Sequence, residues 1–111
     1  MFEEIPNERL TEIDLPSPNA SWDDITFLTG TYNGYARFDS FDRCADIANK
    51  AKCEFQKSRV LPSSLDDLRT CLFFEGRRWR HFGRDPDEIT MVYIHALIEA
   101  MRKKVIGLKK T

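Results

Sequence analysis

The stretch HFGRDPDE (His81–Glu88) joins two long amphipathic segments, and its sequence decides the fold. Gly83 is typical of the left-handed residue that follows a helix end. Asp85 predicts an N-cap, Pro86 suits the first position of a new helix, and Glu88 completes a capping box. Because so short a link between long helices requires the chain to turn back, we predict an antiparallel helical hairpin.

The two arms of this hairpin repeat apolar residues at helical spacing. The third helix of the chain is predicted to follow a Ser64 cap and to run to Phe82. Its apolar face consists of Leu65, Leu68, Leu72, Gly76 and Trp79, with Cys71 and Phe82 beside it. The fourth helix is predicted from Pro86 to about Ile106, ending at Gly107, and is apolar over about two thirds of its circumference. It is therefore either the central helix of the domain or the interface of a homodimer.

Two further helices are predicted upstream. A short one runs from Trp22 to about Thr29 after a Ser21 cap, and a second runs over about residues 40–58 before Pro62. Between them, the pair Asn33-Gly34 is typical of a hairpin turn. Since the flanking residues alternate poorly, we favour a loop there, with the hairpin as the alternative.

The first 20 residues differ from the rest of the chain. They contain Pro6, Pro16 and Pro18 and an excess of acidic side chains. Prolines prevent long regular structure, so we predict an irregular arm over residues 1–20, packed on a single helical domain over residues 21–111. The predicted fold class is all-α, a compact bundle of three long helices plus one short N-terminal helix, with an irregular Pro-containing N-terminal arm.

Composition limits the function classes. The chain has 111 residues and a formal charge of −1, from 17 basic and 18 acidic side chains, so no global field attracts it to phosphate or anionic lipid. It lacks an apolar run of about 18 residues, and its acidic start is unlike a signal peptide. We therefore expect a cytoplasmic protein with no membrane partner. Cys44 and Cys53 would lie about 13 Å apart along one helix, too far to bridge, and Cys71 is expected to be a buried thiol.

A set of arginines is the main candidate binding surface. Arg69, Arg77, Arg80 and Arg84 share one flank of the third helix. Such a stripe could hold an acidic protein or nucleic acid. Alternatively, the helix dipole, the acidic residues 85–88 and the acidic arm neutralise these arginines within the chain. The sequence leaves both interpretations open.

Phe74 and His81 form a second candidate binding face. They lie seven residues apart on the side of the third helix opposite its apolar face. An exposed Phe on a helix is either covered by another segment of the chain or contacts a partner. A third hypothesis, small-molecule binding in an aromatic- and Met-lined pocket between the helices, depends on the eight Phe and three Met of the chain.

Catalysis is disfavoured, because the chain has no Gly-rich phosphate loop, no HExxH motif and no Cys with an evident His partner. Its two histidines and scattered carboxylates lack metal-ligand spacing, and no cofactor is expected. The segment FFEGRRWRHFGRDPDE (Phe73–Glu88) resembles segments of short bacterial proteins, and this resemblance implies no activity. The first hypothesis is therefore a non-enzymatic protein-interaction module that forms a homodimer through the fourth helix.

Overall fold

The computed structural model describes residues 7–11, 15–29 and 41–109. These residues form a 3₁₀ turn and four α-helices, and they contain no strand. The elements are the 3₁₀ turn Asn7–Arg9, α1 Trp22–Thr29, α2 Phe41–Ser58, α3 Leu65–Phe82 and α4 Glu88–Lys109. The predicted all-α class, with three long helices and one short N-terminal helix, is confirmed. The pair Asn33-Gly34, for which a loop and a hairpin were weighed, lies outside the described residues.

Helix α3 is the centre of the bundle and contacts α1, α2 and α4. The main core consists of Ile25 of α1, Ala51 and Phe55 of α2, Leu65, Leu68, Cys71 and Leu72 of α3, and Tyr93, Ile94, Leu97, Ile98, Met101 and Val105 of α4. The apolar face of α4 from Tyr93 to Val105 is thus buried within one chain. Tyr93 and Met101 are buried in this core.

The ends of α3 agree with the prediction. The Ser64 hydroxyl accepts a hydrogen bond from the Asp67 amide at 3.0 Å. Gly83 adopts φ 68°, and its amide donates to the Trp79 carbonyl at 3.0 Å. A residue with a β-carbon would be strained at this φ, which explains the glycine.

The predicted bounds of α4 are wrong at both ends. The N-cap is Asp87, whose carboxylate accepts from the Thr90 amide at 2.8 Å, so Asp85 and Pro86 lie before the helix. At the other end the helix continues through Gly107 to Lys109. The Asp87-to-Thr90 spacing offers the same cap as the Asp85-to-Glu88 spacing, and the sequence alone does not choose between them.

The described part of the first 20 residues contacts α4 and the core. Leu10 and Leu15 are buried in the main core cluster. His95 Nε2 lies 2.9 Å from the Ala20 carbonyl, which can only accept, and Arg102 donates to the Pro16 carbonyl at 3.3 Å. These two side chains of α4 therefore hold the backbone of this segment at Pro16 and Ala20.

The three cysteines are free, with Cys44 and Cys71 buried and Cys53 exposed. Burial raises the pKa of Cys71 from 9.0 to about 11, and the charges of Asp67 and Glu75 add to this against the opposing hydrogen bond with Tyr93. Burial likewise raises the pKa of Tyr93 far above its ordinary range. The buried Cys71 thiol is thus a packing group rather than a nucleophile.

We expect the protein to lose about 2 kcal/mol of stability between pH 8 and pH 11 from Cys71 alone. The unfolded thiol loses its proton above about pH 9, while the folded thiol keeps it to about pH 11. The unfolded state therefore binds fewer protons, and stability falls as pH rises. Urea unfolding followed by circular dichroism across this range measures the slope. Cys71→Ala should reduce the loss by about 2 kcal/mol and leave the part due to the raised pKa of Tyr93, and Cys53→Ala should not reduce it; an equal slope in all three proteins would contradict the prediction.

Of the helices that the structure describes, none combines the length and the apolar character needed to span a bilayer.

Candidate functional site

The four arginines of the predicted flank do not form a single exposed surface, because Arg69 is buried. Arg69 is only 1% exposed, and its Nη1 donates to the Asn7 side-chain oxygen at 2.8 Å. Asn7 in turn donates to Asp66 at 2.7 Å. Arg69 therefore binds the N-terminal 3₁₀ turn to α3 and is not available to a partner, which corrects its assignment to the candidate surface.

Arg77, Arg80 and Arg84 are exposed at the end of α3 and just beyond it. The Arg77 guanidinium lies 5.7 Å from the centre of the Phe73 ring. Arg84 lies 5.6 Å from the Trp79 ring and 5.7 Å from the Phe82 ring. Such distances are within the range of cation–π contacts, so aromatic rings hold two of the three guanidinium groups in place.

Arg84 makes no ion pair with any described residue, although Asp85 and Asp87 are close in sequence. The Asp87 carboxylate is used instead as the cap of α4. Hydrogen bonds from the Thr90 backbone and side chain hold the pKa of Asp87 below its ordinary value, and the charges of Lys52 and Arg84 contribute less. The charge of Arg84 is therefore not neutralised by a direct ion pair with Asp85 or Asp87.

Phe74 and His81 do not form a shared exposed face. Phe74 is 8% exposed and packs with Cys44 and Ala48 of α2, so the covering segment is α2. His81 is exposed, with its ring 5.9 Å from that of Phe82. Of the two alternatives for Phe74, the structure shows the first, cover by another segment of the chain, so its placement on an exposed candidate face is wrong.

Phe82 was expected to face the core, and it is instead 54% exposed. Trp79, one turn earlier, occupies the core position, and the Phe82 ring meets its edge at a centroid distance of 5.7 Å. Two more apolar side chains, Ile89 at 66% and Val92 at 54%, are exposed in the first two turns of α4. Among the described residues, one other large apolar side chain is comparably exposed, Val60 at 59%. The exposed large apolar side chains therefore cluster where the chain passes from α3 to α4.

We call this region the corner surface, comprising Arg80, Phe82, Arg84, Asp85, Glu88, Ile89 and Val92. Two grooves border it. One, of about 300 Å³, is lined by Phe74, Arg77, Arg78, His81 and Phe82. The other, of about 380 Å³, is lined by Trp22, Asp23, Trp79, Arg80, Arg84 and Asp85. Aromatic and arginine side chains beside small grooves are typical of residues that anchor a protein partner.

The carboxylate of Glu75 is buried, which the sequence did not predict. It is 3% exposed and accepts from the Trp79 indole at 2.9 Å and from Arg78 at 3.2 Å, with Lys52 at 3.5 Å. Arg78 also donates to the Asn49 side chain at 2.7 Å. The spacing of Glu75, Arg78 and Trp79 along one helix was a local signal for part of this network. Its role is to bind α2 to α3.

Within the described residues, no three His, Cys, Asp or Glu side chains gather as a metal site would require. The Glu75 carboxylate is occupied by its contacts with Lys52, Arg78 and the Trp79 indole. No protein-family model, no curated protein and no solved structure matches this chain.

Proposed function

We propose that the chain is a non-catalytic protein-interaction module that pairs with a second copy of itself through the corner surface. The observation that supports this is the exposure of Phe82, Ile89 and Val92 around one turn. Monomeric surfaces rarely expose clustered apolar side chains, and such clusters mark interaction sites. The rest of the apolar face of α4 is buried in the core, so the proposed contact is confined to the first two turns of this helix.

The charges around this apolar centre favour a second copy as the partner. Arg80 and Arg84 precede the turn, while Asp85 and Glu88 follow it. In a two-fold interface the same patch faces itself, and a patch that carries both signs of charge allows a basic residue of one copy to pair with an acidic residue of the other. Interfaces of this kind have an apolar centre and a charged rim that is rich in Arg. Nucleic acid is less favoured, because burial of Arg69 removes one of the four phosphate-binding candidates.

We expect the wild-type protein to dimerise at tens of micromolar, and Val92→Glu to weaken the dissociation constant about tenfold or more, since a carboxylate in an apolar contact costs over 1.4 kcal/mol. Sedimentation velocity over a concentration series gives the constants. Val92 is 54% exposed, so we expect the substitution to leave the fold intact.

Val60→Glu is the matched control, because Val60 is equally exposed, at 59%, and lies outside the corner surface. It should dimerise like the wild type. A wild-type protein that stays monomeric up to submillimolar concentration would refute self-pairing. Equal weakening by Val60→Glu and Val92→Glu would refute the corner surface as its location.

A further inference from the structure

A second concave site lies at the opposite end of the α3–α4 hairpin. It is an open groove of about 760 Å³, larger than the two grooves beside the corner surface. Its walls include Ser63, Leu65, Ala100, Lys103, Lys104 and Gly107. This volume falls within the range of small-molecule sites in proteins.

The floor of the groove is apolar. Leu65 belongs to the main core, and Ala100 packs against that core while remaining partly accessible. Gly107 also lines the groove without a side chain, and a β-carbon at this position would meet no atom within 4 Å. Asn7 closes one side and is held by its bonds to Asp66 and Arg69, so this wall is fixed. The floor therefore offers apolar surface to a ligand without requiring rearrangement.

The rim of the groove is positive. Lys104 makes no ion pair with a described residue, and Lys103 has only an exposed pair with Glu99 at 3.4 Å. Exposed pairs of this type contribute little and are readily exchanged for another anion. The Ser63 hydroxyl supplies a hydrogen-bond donor, and no described carboxylate lines the groove. An anion is thus favoured over a cation or a metal ion.

We propose that this groove binds an anionic amphiphile, a molecule with one carboxylate or similar head group and a short apolar chain. The head group lies between Lys104 and Ser63, and the chain lies along Leu65, Ala100 and Gly107. The apolar floor supplies affinity through burial, and the lysines select the sign of the charge. This site shares no residue with the corner surface, so each proposal can be tested independently of the other.

Titration of the full chain with decanoate, below the concentration at which it forms micelles, tests the proposal by isothermal calorimetry. We expect saturable one-to-one binding of decanoate and none of acetate, which has the head group without the chain. Decyltrimethylammonium, which has the chain with the opposite charge, should not bind either. Equal binding of the anionic and cationic amphiphiles would overturn the proposal, as would absence of decanoate binding.

Two pairs of variants locate the site. Gly107→Leu should weaken decanoate binding about tenfold or more, because its side chain occupies the groove, while Gly107→Ala should bind nearly as well as the wild type. Both replace a helical glycine by a better helix former, so both should fold. Lys104→Gln should weaken binding about threefold. Lys57→Gln, at an exposed position of α2 outside the groove, should leave binding unchanged. Unchanged affinity in Gly107→Leu would overturn the assignment.

Discussion

Replacing Glu75 by Ala should lower the free energy of unfolding by about 3 kcal/mol. The Glu75 side chain is 4% exposed and interacts with Lys52, Arg78 and the Trp79 indole. Its removal leaves two cations and a buried N–H donor without their acceptor. The Lys52 and Arg78 side chains are 17% and 27% exposed, so water reaches them in part, and we place the loss at the lower end for buried pairs.

Urea unfolding followed by circular dichroism measures this loss, and Glu99→Ala is the matched control. Glu99 also contacts a lysine on a helix, Lys103 at 3.4 Å, but its side chain is 58% exposed. Exposed pairs of this geometry contribute about 0.3–0.5 kcal/mol, so the control should remain near wild type. Glu75→Gln should lose less than Glu75→Ala, because the amide oxygen still accepts from Trp79. Comparable small losses at Glu75 and Glu99 would show that the network does not hold α2 on α3.

The features that the sequence predicted correctly depend on neighbouring residues. Ser64 and Gly83 act on the backbone within one turn, so their roles at the ends of α3 were readable without any knowledge of the tertiary structure. The end of α2 shows the limit of this reasoning. Arg59 takes the left-handed conformation, with φ 61°, where a glycine is usual, and its guanidinium stacks on the Phe55 ring at 4.9 Å. No turn signal marks that position.

The candidate site was harder to predict, because its residues depend on distant contacts. Helical periodicity placed Arg69 beside Arg80 on a flank, but its burial depends on Asn7, which is 62 residues away. Phe82 has the periodicity of a core residue, and yet it is 54% exposed. Periodicity fixes the side of a helix and leaves open whether another element covers that side.

Replacing Arg69 by Ala should also cost about 3 kcal/mol, and its effect should be concentrated on the N-terminal segment. Arg69 is 1% exposed and binds Asn7, which also binds Asp66. Truncation removes this connection and leaves a cavity against α3. Arg69→Met, which keeps most of the apolar volume, should recover part of the loss. Arg9→Ala, in the same 3₁₀ turn at an exposed position, should change the stability by less than about 0.5 kcal/mol.

A measurement of local opening separates loss of this connection from general destabilisation. Trypsin cleaves after exposed arginines such as Arg9, and cleavage requires the segment to leave α3. Glu75→Ala has a similar expected stability but leaves the Asn7–Arg69 bond intact. Arg69→Ala should therefore be cut after Arg9 faster than Glu75→Ala under identical conditions. Equal cleavage rates in the two variants would mean that the segment is released only by global unfolding, and that Arg69 does not anchor it.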